Sequence, residues 1–376
     1  MIQTITQLRK VCIAGCAIAL CSLGLQAQNA ELVKLSLHQP ELQALRADDA
    51  SITGESSIPA DEKQALIDIY NNLDGANWKP TYKRWDLTAD PETWSGVTIQ
   101  NGHVVGLKID RLWAKGEVPA SIADLTELET FICYSNQITK FPDELFTMKK
   151  LKTFVADLQN VGETRTLTQE FPKKVDLPAM ESFSMANNAL TGSLPSDMNM
   201  PKLNFLGLQD NKLTGSVPET LTKCPNLEYL YLHMNDLSGD IPQDWTACTK
   251  LKHFVFEQNP QLGGNFPASL TQLTTLEAIS LQMTSIKGEI PSNIGDLTNM
   301  SQFFLTGSKM SGVIPESIGK LTKMTILAFG DCQFTGPLPA SLANLTNLTL
   351  INLTNNPIGG EIPEWLSKLS MLKDLR

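Results

Sequence analysis

The chain has 376 residues and a formal net charge of −10 at pH 7, with 40 acidic residues against 30 basic ones. This acidic balance favours solubility and disfavours nucleic acid as a partner. Only seven cysteines occur, three of them near the N-terminus, and this small number excludes a disulfide-rich scaffold.

Residues 1–27 are typical of an export signal. Arg9 and Lys10 close a short basic region, residues 11–25 are mostly apolar, and Ala27 is a small residue suited to cleavage. The apolar run is shorter than the ~20 residues that a membrane-spanning helix needs. The pattern therefore predicts a secreted or cell-surface protein.

A lipid anchor is the alternative interpretation of the same stretch. Cys16 ends the sequence Ile-Ala-Gly-Cys, which has the chemistry of a lipidation site but follows only a few apolar residues. Cys21 follows a longer apolar run, but the large Leu20 stands where a small residue is wanted. In that alternative, membrane contact is made through the lipid alone.

The apolar residues within 28–60 recur at no regular spacing, which predicts a tether that is partly disordered. Residues 61–73 predict a helix, because their apolar residues recur on one face and Asp74-Gly75 follows as a stop signal. The residues of that face are Ala65, Leu66, Ile69, Tyr70 and Leu73.

Three tryptophans and a hairpin signal come next. Trp78, Trp85 and Trp94 are followed by an Asn-Gly pair at 101–102 between two short apolar stretches, which predicts a two-residue hairpin. A helix and a hairpin within 61–104 would form an N-terminal cap over the apolar end of a following domain. The tryptophans are interpreted as the core of that cap, in preference to a ligand-stacking surface.

From about residue 105 onward a pattern of about 24 residues repeats, most regularly over 276–324. Each repeat holds a proline with an apolar residue directly before it and another three residues after it. These prolines are Pro119, Pro142, Pro172, Pro195, Pro218, Pro242, Pro267, Pro291, Pro315, Pro339 and Pro363. A fixed period of this length indicates a solenoid, in which each repeat buries its apolar positions only against its neighbours.

Each repeat begins with a short stretch that alternates like a β-strand. Leu230 and Leu232 are predicted to face inward, while Tyr229 and Tyr231 face outward. A polar residue then ends the strand. This position holds Asn188, Asn211, Asn235, Asn259 and Asn356, and it holds Thr284, Ser308 and Cys332 in three consecutive repeats.

The pattern resembles the leucine-rich repeat family, in the plant-type form LxxLxLxxNxLxGxIP that bacterial surface proteins also use, over residues 105–376. The resemblance implies an α/β solenoid: a right-handed superhelix of about 11 repeats with a concave parallel β-sheet and an N-terminal helix-and-hairpin cap. In the family, the asparagines bond backbone groups of the neighbouring coil, and we expect Thr284, Ser308 and Cys332 to continue this ladder more weakly. Glu92 and Ile99 stand where plant caps often carry paired cysteines, which favours a bacterial relative.

Two places depart from the regular repeat. The interval from Pro142 to Pro172 is 30 residues long, and its extra residues, around 160–168, predict a polar loop without a core residue. Such a loop either carries specificity or is a tolerated surface insertion. Residues 369–375 begin a twelfth repeat with no polar capping repeat after it, which predicts a C-terminal fragment or a further domain.

The sequence predicts no enzyme and no cofactor. It contains no HExxH, P-loop, GxSxG or calcium-loop motif. His233, His253 and Glu257 would lie near one another on the outward face, which makes a metal site conceivable. Surface histidines on a binding face are the favoured interpretation.

The outward strand residues are expected to form one continuous concave face, the usual binding surface of repeat proteins. They include Tyr134, Phe205, Tyr229, Tyr231, His233, His253, Val255, Glu257, Gln282, Gln302 and Phe304. We expect the fold to leave these positions free, so that aromatic residues there indicate an interface rather than a core, with Tyr229, Tyr231 and His253 at its centre. Replacing these three by alanine should then leave folding nearly unchanged.

The predicted function is an exported scaffold that binds a protein partner on the concave face. Two alternatives stay open. One is a module that binds carbohydrate or peptidoglycan, since aromatic residues serve both kinds of ligand. The other is the non-catalytic part of a longer surface protein, in which an enzyme would lie beyond Arg376.

Two cysteines occupy the same position in adjacent repeats, Cys224 and Cys248. Leucine holds that position in other repeats, among them at Leu125, Leu273, Leu297, Leu321 and Leu345, so a pair of small core residues is the favoured interpretation. Equivalent positions in stacked coils lie roughly 5 Å apart, within reach of a disulfide, and export makes oxidation feasible.

We predict that the mature protein begins at Gln28, because cleavage follows Ala27. N-terminal sequencing and the intact mass of the protein recovered from expressing cells test this directly. A mature chain that starts at a lipidated Cys16 or Cys21 would replace secretion with membrane anchoring.

Overall fold

The computed structural model describes residues 58–79 and 85–376. The predicted export signal at 1–27 and all but the last three residues of the predicted tether at 28–60 lie outside the described residues. Across the two described ranges, no helix combines the length and the apolar character that crossing a membrane requires.

The first element is the helix α1, Ala60–Asn72, within one residue of the helix predicted from the apolar face. Its buried apolar residues are Ala65, Leu66, Ile69 and Tyr70. The carboxylate of Glu62 is buried too; it accepts a 2.7 Å hydrogen bond from the backbone N–H of Val104 and lies 2.6 Å from Nδ1 of His103. Because a buried carboxylate without partners is costly, these contacts hold α1 in one position against the hairpin that follows.

That hairpin pairs the strands Val97–Gln100 and His103–Lys108 in antiparallel fashion. Asn101 and Gly102 between them have φ angles of 53° and 75°. Two successive positive φ angles are what a type I′ turn requires, and an Asn-Gly pair adopts them at little cost. The hairpin predicted from this pair is confirmed.

The three tryptophans between α1 and the hairpin are buried together. Trp85 stacks on Trp94 with ring centroids 5.0 Å apart, and Trp78 packs edge-on against Trp85 at 5.2 Å. Each indole N–H donates a hydrogen bond to a backbone carbonyl. Buried and fully paired rings are core, so the alternative of a ligand-stacking surface is wrong for these residues.

From the hairpin onward, thirteen strands form one long sheet whose order follows the chain. All neighbours after the hairpin pair in parallel, each strand with its equivalent in the next coil. After His103–Lys108, its strands are Thr130–Ile132, Thr153–Val155, Ser182–Ser184, Phe205–Gly207, Tyr229–Tyr231, His253–Val255, Ala278–Ser280, Gln302–Phe304, Ile326–Ala328, Leu350–Asn352 and Asp374–Leu375. The structure therefore has the predicted solenoid with its parallel sheet, and residues of the twelfth repeat add a further strand.

Most coils return through short extended pieces and a single 3-10 turn, and two further 3-10 turns lie in the N-terminal cap. The extended pieces form small parallel sheets of their own: Lys115–Glu117 with Gln137–Lys140; Thr214–Gly215, Asp236–Asp240 and Gln261–Gly263; and Lys287–Glu289, Lys309–Val313 and Gln333–Thr335. The 3-10 turns are Gly75–Asn77, Pro91–Thr93, Ala120–Asp124, Asp143–Thr147, Glu219–Lys223, Ala268–Gln272, Ile294–Asp296, Glu316–Lys320, Ala340–Asn344 and Glu364–Lys368. Seven of them start directly after a repeat proline, whose fixed φ suits the entry into a turn.

The apolar positions of the repeat fill one continuous core that extends from α1 to Leu369. Leu230 and Leu232 are fully buried, as the alternation in their strand predicts. Cys133, interpreted from sequence as a small core residue, is fully buried as well. Each coil thus covers its neighbour, which is why no single repeat is stable alone.

The asparagine ladder joins each coil to the one before it. Asn235 accepts a 3.0 Å hydrogen bond from the N–H of Leu213 and donates to the carbonyls of Leu208 and Leu232 at 3.0 and 3.1 Å. The same pattern of bonds is made by Asn136, Asn188, Asn211, Asn259 and Asn356. Gln159 fills the position in the irregular repeat.

Where asparagine is replaced, the ladder weakens as predicted. The hydroxyl of Thr284 donates to the carbonyl of Leu281 in its own coil at 2.7 Å, and no described residue of the preceding coil bonds to it. Cys332 still contacts the preceding coil, because its Sγ lies 3.1 Å from the carbonyl oxygen of Leu305. A hydroxyl or thiol has one donor where the amide has two, so fewer backbone groups are bridged.

The insertion of the irregular repeat is a small hairpin rather than an open loop. Asn160–Val161 pairs with Thr164–Arg165 around Gly162, whose φ is 58°. Leu167, just after this hairpin, is fully buried in the core. The prediction that 160–168 carries no core residue is therefore wrong, because the chain re-enters the core one residue before the predicted end of the loop.

Cys224 and Cys248 are buried free thiols in adjacent coils. Their sulfur atoms lie 3.5 and 3.6 Å from the carbonyl oxygens of Met200 and Leu221 respectively. Burial raises the pKa of Cys224 to about 11 and that of Cys248 to about 12. Both residues are thus unreactive core residues, and the disulfide alternative is not realised.

The two kinds of ladder residue should differ in their contribution to stability. Asn235→Ala should lower the free energy of unfolding by about 3 kcal/mol, because it leaves backbone groups of two coils buried and unpaired. Thr284→Ala, the matched control, removes bonds within one coil and should cost about 1 kcal/mol. Urea unfolding of both variants measures the difference, and equal losses would contradict the described ladder.

Candidate functional site

We call the outward side chains of the long sheet the concave face. At its centre, three adjacent strands bring together Phe205, Tyr229, Tyr231, His253 and Val255, the aromatic cluster. Ring centroids are 5.7 Å apart for Phe205 and Tyr231, 5.1 Å for Tyr229 and His253, and 5.9 Å for Tyr231 and His253. The predicted centre of the site is thus one packed group of side chains.

A glycine makes room for this group. A Cβ atom on Gly207 would lie 2.8 Å from the ring of Phe205 and 2.7 Å from the hydroxyl of Ser184. Both distances are shorter than ordinary contacts, so a larger residue would displace the ring. The position of the Phe205 ring in the aromatic cluster therefore depends on the absence of a side chain at Gly207.

The expectation that the fold leaves these positions free is wrong. Only 2% of Tyr231 and 5% of His253 is exposed, and Phe205 and Val255 are buried as well, while Tyr229 is half-buried. Parallel strands place equivalent side chains about 4.8 Å apart, so large neighbours cover one another even on the outer face of a sheet. Alanine at Tyr231 and His253 would leave a cavity and would not be neutral for folding.

His253 is held in its neutral form. Its Nδ1 lies 2.8 Å from the hydroxyl of Tyr231, and its Nε2 lies 3.8 Å from a carboxylate oxygen of Glu277. Burial, with a smaller contribution from the charge of Lys252, lowers the pKa of His253 to about 4. Near neutral pH the ring is therefore a hydrogen-bonding aromatic group without charge.

A row of polar side chains runs beside the aromatic cluster. Gln209, His233, Glu257 and Gln282 occupy the same position in four consecutive coils, two residues after the last residue of the strand, and we call them the polar row. Gln209, His233 and Glu257 are buried. One oxygen of Glu257, Oε2, accepts hydrogen bonds from the hydroxyl of Ser280 at 2.6 Å and from Nε2 of Gln282 at 2.9 Å.

Two buried polar atoms in the polar row have no hydrogen-bond partner among the described residues: Oε1 of Gln209, which is an acceptor, and Nδ1 of His233, which accepts in one ring tautomer and donates in the other. Burial lowers the pKa of His233, although the charges of Glu257 and Asp210 act in the opposite direction. The ring is thus neutral, with one nitrogen able to accept. Unpaired buried acceptors are unusual and point to a group that completes them.

The insertion hairpin reaches the edge of the same region through Arg165. Its Nη1 donates to the carbonyl oxygens of Asn188 and Asp210 at 2.6 and 2.9 Å, and its Nη2 pairs with the carboxylate of Asp210. The guanidinium spans two coils. The carboxylate of Asp210, next to Gln209, is therefore already neutralised within the chain.

Two predicted site residues lie elsewhere on the face. Tyr134 belongs to the second coil, where the guanidinium of Arg111 lies 5.4 Å from its ring centroid. Phe304 is buried in a separate apolar cluster with Ile326 and Ala328. Of the predicted set, the structure brings together Phe205, Tyr229, Tyr231, His233, His253 and Glu257.

No group of three or more histidine, cysteine, aspartate or glutamate side chains converges into a metal site within residues 58–79 and 85–376. His253 faces Tyr231 in the aromatic cluster, whereas His233 and Glu257 belong to the polar row.

The sequence analysis did not identify Gln209 and Asp210 as residues of the site. Gln209 could have been found, because it stands two residues before a ladder asparagine, as His233 and Glu257 do.

Two family models match the chain. The model described as Leucine Rich repeats (2 copies) matches residues 201–245, and the model described as Leucine Rich Repeat matches residues 347–369. The first match covers the strands of the aromatic cluster that start at Phe205 and Tyr229.

Solved structures of both plant and bacterial origin are similar to the chain. A TDR receptor is 26% identical with a TM-score of 0.63, and the match covers 72% of this chain and 46% of the receptor. The Arabidopsis receptor kinase HAESA, in complex with the peptide hormone IDA and the co-receptor SERK1, is 25% identical with a TM-score of 0.55, covering 69% of this chain and 51% of the receptor. A leucine-rich repeat protein of Leptospira interrogans is 25% identical with a TM-score of 0.51, covering 70% of both chains. The match thus spans about half the length of each of the two receptors.

We predict that His253 makes the fold sensitive to acid. Its pKa of about 4 lies below the unfolded value of about 6.5, so its contribution to stability is present above pH 6.5 and is lost as the pH falls toward 4. Between pH 7.5 and 4.5 the wild type should lose about 2.5 kcal/mol more than His253→Gln.

The readout is the difference between the two proteins in urea unfolding at each pH. This comparison is needed because the pKa of Asp157, which burial raises to about 6, changes stability in the opposite direction over the same range. Parallel pH profiles for wild type and variant would contradict the assignment.

Proposed function

The chain is a leucine-rich repeat protein, and from that premise we propose that it is an exported scaffold that binds a peptide or protein partner on the centre of its concave face. The observation that carries the proposal is the polar row. It places unpaired buried polar atoms directly beside the aromatic cluster, in the same coils. A peptide supplies both the apolar side chains and the N–H donors that such a surface takes up.

The similar structures support this kind of partner. HAESA was solved with a peptide hormone and a co-receptor, and the match to this chain covers about half of that receptor. The family models describe leucine-rich repeats, and one further neighbour is named as a receptor. We extend peptide or protein binding to this chain as part of the proposal.

Export is the second part of the proposal. It is supported by the order of basic, apolar and small residues within 1–27. It agrees with the receptor-type neighbours, one of which, HAESA, was solved in complex with a peptide hormone. A carbohydrate ligand is the competing outcome that an experiment must separate.

Tyr231 and His253 are buried and support the fold, so substituting them would not test binding alone. A binding test should instead substitute residues near the aromatic cluster that have exposed surface. Tyr229 is half-buried, and Met234, next to His233, is 40% exposed. Val313, 55% exposed on a strand of the return path, is a matched apolar control on another surface.

We expect peptides selected from a random library against the full chain to bind the centre of the concave face. Tyr229→Ala with Met234→Ala should weaken the selected peptides at least tenfold, since interface aromatics contribute on the order of 1–3 kcal/mol. Val313→Ala should leave the affinity unchanged. Biolayer interferometry measures each affinity, and thermal unfolding confirms that every variant is folded.

Two outcomes would overturn the proposal. One is a set of selected peptides whose affinity drops with Val313→Ala but not with the double variant. The other is a chain that yields no peptide binder but binds defined sugars on a glycan array, which would assign the surface to carbohydrate.

A further inference from the structure

We infer that the polar row is a docking site for the guanidinium group of an arginine in the bound partner. This inference rests on the proposed function and deepens it, because it names the chemical group that the concave face selects. The site comprises Oε1 of Gln209, the His233 ring and the free oxygen of Glu257, in three consecutive coils.

The polar row contains oxygen and nitrogen atoms that lack a hydrogen-bond partner. Oε1 of Gln209 and Nδ1 of His233 are buried and have no partner among the described residues. Both hydrogen bonds to Glu257 end on Oε2, and no described donor reaches Oε1. The site therefore offers the carboxamide oxygen of Gln209 and the free oxygen of Glu257 as acceptors, and Nδ1 of His233 is a third acceptor in the tautomer protonated on Nε2.

The charge of Glu257 is not compensated within the described part of the chain. Glu257 forms no ion pair with a described lysine, arginine or histidine. The neutral His233 adds no compensating charge. A cation bound here would be paired with a carboxylate that is only 3% exposed, where a charge-assisted hydrogen bond is strong.

The shape of the site suits a guanidinium better than an ammonium. Equivalent positions in adjacent coils lie about 4.8 Å apart, so the acceptors are spread along a line rather than gathered around a point. A guanidinium presents five N–H donors in one plane and can serve several acceptors at once, whereas an ammonium is a compact point charge. Met234 beside His233 and Met283 beside Gln282 are 40% and 44% exposed and offer apolar contact for the methylene stem.

The chain contains its own example of this recognition two coils before Glu257. The guanidinium of Arg165 donates to two carbonyl oxygens of neighbouring coils and pairs with the carboxylate of Asp210. At that position the insertion hairpin supplies the arginine. At Glu257 no described residue does, and the partner takes that role.

Methyl NMR of the full chain labelled at its methionines tests the inference, with Met234 and Met283 as reporters at the site. The probes are Nα-acetyl-arginine methylamide, the uncharged citrulline analogue of the same shape, and Nα-acetyl-lysine methylamide. We expect the arginine probe to shift the Met234 signal, identified with Met234→Leu, at concentrations at least tenfold lower than either other probe.

Glu257→Gln should weaken the arginine probe about tenfold, and Gln209→Leu should weaken it as a second variant if the first is unstable. Glu289→Gln, an exposed glutamate on a strand of the return path, is the control and should have no effect. Equal binding of arginine and citrulline, equal binding of arginine and lysine, no binding of arginine, or binding unaffected by Glu257→Gln and Gln209→Leu would each overturn the inference. Peptides that bind the concave face without arginine would overturn it while leaving the proposed function intact.

Discussion

Every coil of this protein bends sharply at the end of its strand, and the bend leaves backbone N–H and C=O groups inside the molecule. Those groups must be paired, and the ladder residue is what pairs them. Asn235 bridges its own coil and the one before it through three hydrogen bonds, and five other asparagines repeat this. The spacing of the coils, the parallel register of the long sheet and the position of each outward side chain all follow from that bridge.

The regular register has a consequence for the concave face. Equivalent residues of adjacent coils stand side by side, so a run of large side chains becomes a packed layer outside the sheet. Tyr231, His253 and Val255 are buried in this way although none of them faces the core. The concave face therefore consists of two parts. The packed aromatic cluster supports the face, and the polar row lies beside it together with the exposed side chains of Met234 and Met283. Rigid support under a polar row is what precise recognition needs.

Much of the fold could be predicted because it repeats. Alternation assigns Leu230 and Leu232 inward, and an Asn-Gly pair specifies the hairpin before the first repeat. The burial of Tyr231 could not be predicted from its own strand, since it depends on His253 one repeat later and on Gly207 one repeat earlier. Leu167 was missed because the insertion interrupts the period that identifies core positions. The unpaired acceptor of Gln209 could not be predicted at all, because hydrogen-bond satisfaction is a property of assembled neighbours.

A crystal structure of the full chain with a peptide selected against it tests the central claim most directly. The account predicts a peptide that lies across the strands between Phe205 and Gln282, with an arginine guanidinium within hydrogen-bonding distance of Glu257. A peptide bound to the strands of the return path, such as Lys309–Val313, or only to the insertion hairpin at 160–165, would contradict it.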